Sequence, residues 1–228
     1  MAGNPPHNEE MILRGFGLLM GLAAVSYGQW YVGGMAGLST LSADGQNVFT
    51  GSSTSISSYK PENGAAVQLF AGRHWREYFS TQGSYSWNRN ALKFSGTRVE
   101  GGQEVTFEQA RSSRQNVVTG EGLIYFRPRA SRFRPYVLGG LGMVHAGSAA
   151  GVVSVAKGRV VLPPERFSAT RVHWRTAVGM DVRLKDGWRF RYSFWENLSA
   201  NPFSKALRPK GTRNLLNFQN MFGVVREF

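Results

Sequence analysis

Cysteine is absent from the 228 residues, so disulfide frameworks, thiolate metal sites and cysteine nucleophiles are excluded together. Charge is scarce: 18% of residues are Asp, Glu, Lys or Arg, against about 25% in a soluble domain. Acids are scarcer still, 14 against 27 Lys and Arg, which leaves a formal charge of +13. The four histidines, His7, His74, His145 and His173, stand far apart, so no metal-ligand spacing is present and neither a metal nor another cofactor is expected. From Tyr31 onward no run of about eighteen apolar residues occurs, and no transmembrane helix is expected there. Gly33-Gly34 and Gly139-Gly140 sit inside strand-like segments, where glycine marks a bend or close packing and not a phosphate-cradling loop.

Aromatic residues make up 13% of the chain and glycine 28 positions, a pairing that suits strands and tight corners better than a helical bundle. The amino terminus reads as an address. Arg14, an apolar stretch from Gly15 to Val25, then the small residues Ser26 and Gly28 reproduce the layout of a secretory signal. Eleven apolar residues are too few for a spanning helix, which needs about 20. Glu9 and Glu10 fit a basic n-region badly, so Met11 is an alternative start. Residues 1–28 are expected as signal peptide and 29–228 as one barrel domain.

Beyond the signal, apolar residues recur at every second position. Val172, Trp174, Val178, Met180, Val182 and Leu184 share one face, while Arg171, His173, Arg175, Asp181 and Arg183 share the other. The turn Lys185-Asp186-Gly187 reverses the chain, and Trp188, Phe190, Tyr192 and Phe194 then alternate with Arg189 and Arg191, as an Asp-Gly hairpin requires. In the last strand Leu216, Phe218, Phe222, Val224 and Phe228 oppose Asn217, Gln219, Gly223 and Glu227.

Eight strands are predicted, at about 29–40, 64–73, 77–89, 115–127, 134–146, 169–184, 188–197 and 214–228. Glycine leaves the outward parity of the first and fifth of these open. Short connections at His74–Arg76, Pro128–Phe133 and Lys185–Gly187 alternate with long polar loops at Leu41–Asn63, Asn90–Arg114, Gly147–Ser168 and Leu198–Arg213. Short turns on one rim, long loops on the other and an outward apolar band predict an all-β fold, an eight-stranded antiparallel up-and-down transmembrane β-barrel. Trp30, Tyr136 and Trp188 near the short turns, with Trp87 and Trp174 near the long loops, are expected to form two aromatic girdles. A soluble barrel of the same size would place its arginines outside and its apolar faces inside, the inverse arrangement.

The segment Arg134-Pro135-Tyr136-Val137-Leu138-Gly139-Gly140-Leu141-Gly142, the strand pattern and the ending Phe222, Val224, Phe228 resemble the outer-membrane β-barrel superfamily, the OmpA-like and OmpW-like small barrels of Gram-negative bacteria. The resemblance covers residues 29–228. It implies an outer-membrane location, insertion by the barrel-assembly machinery with Phe222, Val224 and Phe228 as the assembly signal, and a monomer in contact with outer-membrane lipids and lipopolysaccharide. Arg226 departs from the apolar alternation of that signal.

Eight strands leave an interior just wide enough for side chains. Glu121, Arg171, Arg175, Asp181, Arg183, Arg189 and Arg191 are expected there as a polar network with Gln82, Asn217 and Gln219, plugging the lumen. A structural or surface-interacting role follows, and no enzymatic activity. The alternative is a small anion-preferring channel, because those arginines outnumber the acids five to two. A lipid A-modifying hydrolase is a further alternative: lipid A deacylases of this architecture carry a His-x-Ser-Asn element in the last loop. Here Asn197-Leu198-Ser199-Ala200-Asn201 keeps Ser199 but has Asn197 in place of the base. Nucleic acid is not an expected partner, since the arginines alternate with lipid-facing aromatics and form no patch. The basic loops, with Lys205, Arg208, Lys210 and Arg213 in the last, suit lipopolysaccharide phosphates.

Overall fold

The computed structural model describes residues 30–42, 45–50, 54–157, 166–201 and 214–228; the expected signal at 1–28 and most of the last loop lie outside the described residues. Ten strands follow in chain order: β1 Trp30–Ser42, β2 Gly45–Thr50, β3 Thr54–Pro61, β4 Gly64–Arg76, β5 Phe79–Glu100, β6 Gln103–Tyr125, β7 Phe133–Lys157, β8 Arg166–Arg183, β9 Trp188–Ala200 and β10 Asn214–Glu227. Eight of them form a ring in the order β1, β4, β5, β6, β7, β8, β9, β10, closed by β10 on β1. The closing register runs from Tyr31↔Glu227 to Ser42↔Leu216. Closure leaves no sheet edge in the hydrocarbon layer, the condition for a strand to cross it.

The predicted alternation sets which side chains meet lipid. Val172, Trp174, Val178 and Leu184 of β8 and its turn are exposed outward, while His173, Arg175, Ala177 and Asp181 are buried inside. On β10 Phe222, Val224 and the flanking Phe228 point outward; Asn217, Gln219, Met221 and Val225 point in. The two open parities are settled: odd residues of β1 (Tyr31, Met35, Ser39) and even residues of β7 (Arg134, Tyr136, Leu138) face the interior. Tyr136 is therefore a lumen residue and not part of a girdle. At the short-turn rim the exposed aromatics are Trp75, Tyr78, Phe79, Phe126, Phe133, Trp188 and Phe228, with Trp30 half-buried beside them. Trp174 is exposed and Trp87 half-buried toward the opposite rim.

Three turns on that rim are short. Asp186 (φ 52°) and Gly187 (φ 75°) make the two-residue corner between β8 and β9, closed by Trp188 N–H donating to the Lys185 carbonyl at 2.9 Å. The first turn is Glu77-Tyr78 and not His74–Arg76, because β4 continues through a register shift at His74/Arg76.

The opposite rim departs most from expectation. Asn90–Arg114 is not a loop: β5 and β6 stay paired from Phe79↔Ile124 to Glu100↔Gln103, and Gly101 (φ 58°) and Gly102 (φ 78°) turn the chain in the left-handed region that a tight hairpin needs. Residues 41–63 contain β2 and β3, and β3 pairs with β5 from Thr54↔Val99 to Pro61↔Leu92. β7 continues to Lys157, with Phe107↔Ala156 and Thr106↔Lys157 against β6. β9 likewise continues to Ala200. Polar composition marked these segments as loops, yet strands above the membrane need no apolar outer face. A lone hairpin is marginal in water, and β3 on one side with β7 on the other supplies the extra pairing. Lys93 and Glu108 form an ion pair across β5 and β6.

Candidate functional site

The interior is the site, and it is filled in layers. At the short-turn rim Glu227 accepts from Arg189 Nε at 2.9 Å and lies 3.0 Å from His74 Nε2, whose Nδ1 is 2.5 Å from Ser80 Oγ. Arg129 Nε stands 3.7 Å from the second Glu227 oxygen. Three arginines tie the short turns of this rim. Arg189 Nη2 and Arg183 Nη2 each donate to the Arg129 carbonyl at 2.8 Å. Arg134 Nη2 donates to the Glu77 carbonyl at 2.9 Å and its guanidinium lies 3.7 Å over the Tyr125 ring.

One layer higher Arg191 grips Asp181 with two bonds of 2.7 Å, from Nε and Nη2 to the two carboxylate oxygens. Bidentate geometry of this kind is among the stronger charge-assisted arrangements. The guanidinium also donates to Tyr125 Oη at 3.0 Å and lies over the Phe70 and Tyr136 rings at 5.0 and 5.1 Å. Tyr136 hydrogen-bonds Ser193. Two of the inward tyrosines cover a glycine across the ladder: a Cβ on Gly72 would fall 2.4 Å from Tyr31 Cζ, and one on Gly179 2.5 Å from Tyr136 Cζ. The rings replace side chains that would not fit.

Above it stands the second ion pair. Arg175 Nη1 donates to Glu121 Oε1 at 2.6 Å, with both side chains fully buried. Its Nε reaches Asn197 Oδ1 at 2.7 Å, its Nη2 Ser86 Oγ at 3.0 Å, and its plane lies 4.4 Å from the Trp195 ring. Ser84 Oγ donates to Glu121 at 2.7 Å. Gln82 joins the layers: its Nε2 donates to Glu121 at 2.5 Å, and its Oε1 accepts from Arg191 and from Tyr31, each at 3.1 Å. A chain of bonds thus runs Glu121, Gln82, Arg191, Asp181, in surroundings where an unpaired charge is costly.

The upper half is uncharged until near its top. Ser39 donates to Asn217 Oδ1 at 2.7 Å, Asn88 Nδ2 to Ser39 Oγ at 3.1 Å, and Asn90 Nδ2 to the Ser39 carbonyl at 2.9 Å. Over this amide belt Leu41, Leu92, Phe94, Ala146 and Leu215 close an apolar layer, with Phe107 packed on it. Arg111 lies 5.5 Å over the Phe94 ring and donates to Ser148 and Gln109.

Of the seven residues expected in the lumen, Glu121 joins Arg175, Asp181 joins Arg191, and Arg189 joins Glu227. Arg171 and Arg183 are not in this buried set. Arg171 is half-buried and donates to the neighbouring Thr170 carbonyl, being above the network; Arg183 is exposed at the lower rim, past the last lumen position. Sequence reasoning missed the apolar layer, Trp195, Tyr31 and Glu227's role as acceptor. The inward parity of β9 after Arg189 and Arg191 carried the signal for Trp195. The sheet register also sets His173 opposite Ser199, a proximity invisible in the sequence. His173 Nε2 is 3.3 Å from Thr119 Oγ1, and Asn197 is taken up by Arg175.

A closed antiparallel ring with apolar residues toward lipid and paired charges inside defines an integral membrane β-barrel. Residues 15–218 match the outer membrane protein beta-barrel domain, and the chain belongs to that family; its place is the bacterial outer membrane, with the short turns on the periplasmic side. Among solved structures, Neisserial surface protein A is 11% identical, with 87% of this chain and 97% of that chain covered and a TM-score of 0.50. Ail of Yersinia pestis is 12% identical over 89% of this chain and 100% of that chain, with a TM-score of 0.49. OprG from Pseudomonas aeruginosa is 14% identical over 88% and 96%, with a TM-score of 0.47. At such identities the first of these speaks to fold alone. No curated protein matches the chain.

Proposed function

We propose that this protein is a plugged barrel with a structural and surface-interacting role, which anchors an extended sheet at the cell surface. The filled lumen carries this reading. Two buried ion pairs, an amide belt and an apolar layer occupy successive levels of the interior, and a pore of any selectivity needs room for water that such packing removes. The arginines that suggested an anion path are spent on carboxylates, on turn carbonyls and on aromatic rings. The sheet that rises above the ring, β3, β5, β6 and upper β7, is the surface available to a partner outside. The basic loops suit the phosphates of lipopolysaccharide, and a barrel whose ring closes within one chain works as a monomer. Phe222, Val224 and Phe228, aligned on the lipid side of β10, act as the signal read by the assembly machinery, and residues 1–28 direct export.

Chloride efflux from liposomes into which the protein has been refolded tests the reading. Efflux at the rate of empty liposomes is expected. Efflux that rises with protein dose and falls on Arg175→Ala assigns the interior arginines to transport instead.

A further inference from the structure

The periplasmic rim divides its charges unequally. Among the described residues its acidic side chains are Glu77, Asp186 and Glu227, and two of them are engaged within the rim: Glu77 accepts the backbone N–H of Arg129 at 2.8 Å, and Glu227 serves Arg189 and His74. The inner cations Arg129, Arg134 and Arg189 are held with them. A second set of cations faces away from the lumen. Arg73 lies 4.7 Å over Trp75 and 5.6 Å over Trp30, Arg226 5.4 Å over Trp188, and Arg127 5.9 Å over Phe133. Next to these stacks an open cleft is lined by Arg132, Arg183, Leu184 and Lys185, with no acid in its wall. The adjacent Asp186 lines the neighbouring cleft with Glu77 and Glu227 and not this one.

We propose that this rim binds the phosphate headgroups of anionic phospholipids in the inner leaflet, with Arg132, Arg183 and Lys185 as the seat and Leu184 meeting the start of an acyl chain. Three observations converge on a lipid and not on a soluble polyanion. The cations share their level with outward aromatic rings, which settle at headgroup depth. Around the seat Arg73, Arg127 and Arg226 lie over those rings, which leaves guanidinium edges for further phosphate oxygens. The cleft joins cationic walls to an apolar residue, the two halves of a phospholipid at the interface. Arg226, the misfit in the carboxyl-terminal pattern, belongs to this collar.

The test is native mass spectrometry of the protein released from nanodiscs of equal phosphatidylglycerol and phosphatidylcholine. Preferential retention of phosphatidylglycerol is expected. The triple variant Arg132→Gln/Arg183→Gln/Lys185→Gln is expected to weaken that binding by on the order of 100-fold, given the attraction of each basic residue to an anionic surface. Because Arg183 also pins the Arg129 carbonyl, the double variant Arg132→Gln/Lys185→Gln, which leaves that bond in place, is measured alongside and is expected to lose on the order of 30-fold. Equal retention of the two lipids, or unchanged binding in both variants, overturns the proposal. Displacement of the lipid by millimolar inorganic phosphate or by soluble peptidoglycan fragments also overturns it, by making the seat a site for free anions.

Discussion

The two halves of the lumen are filled by opposite means. Toward the periplasm, guanidinium groups are matched one by one with carboxylates and rings, as Arg191 is with Asp181, Tyr125 and Phe70. Toward the outside, neutral amides and then apolar side chains do the same task. The lower half is specific and intolerant, because removing one partner strands a charge in a dry interior. The upper half is close to an ordinary protein core, in which a lost side chain leaves a cavity. Charge here keeps company with charge, and the lower arginines double as ties for the periplasmic turn through Arg129 and Ser131 carbonyls.

Substitutions break or sharpen this contrast. Glu121→Ala leaves Arg175 buried without its acid and is expected to cost about 3 to 5 kcal/mol in a urea titration in lipid. The compensated variant Glu121→Leu/Arg175→Met should recover most of that loss, since an apolar pair of similar volume is often neutral. Failure to recover would mean that the hydrogen bonds to Asn197 and Ser86, and not the charge, hold this layer. On the lipid side, Val178→Arg places a charge near mid-strand and should cost about 2 to 4 kcal/mol in the same titration. Tolerance there would show that the outward face is misassigned. In the upper lumen Leu92→Ala is expected to cost about 2 kcal/mol, the low end for a core leucine, with the apolar layer able to settle around the gap. The smallest effect is Gly101→Ala, which forces a Cβ into the left-handed region at the hairpin tip for about 1 kcal/mol. Hydrogen exchange should quicken at the tip of β5 and β6 while the ring below keeps its protection.

Strand number, closure and the lipid-facing side were legible because a barrel wall in lipid forces a period of two, and β8, β9 and β10 keep it apart from Thr176, Glu196, Asn220 and Arg226 on the outward side. Where Gly139, Gly140 and Gly142 dilute that signal, parity was lost and Tyr136 read as a girdle residue. Segments above the membrane kept the alternation, as Leu92 and Phe94 inward against Lys93 and Ser95 outward attest, but with few apolar residues it passed for loop. Gly101-Gly102 was the readable turn in that stretch. Which charges meet was beyond the sequence. Side-chain alternation assigns a face, whereas the height at which Arg175 finds Glu121, 54 residues away, depends on the stagger of the closed sheet.

The central claim is that the lumen is sealed by its own side chains. Single-channel recording of the refolded protein in planar bilayers under a salt gradient tests it most directly. A silent bilayer holding folded protein is the predicted result, with conductance appearing only when the Glu121 and Arg175 layer and the Leu92 and Phe94 layer are both cut to alanine. Discrete anion-selective steps from the unaltered protein would contradict the account.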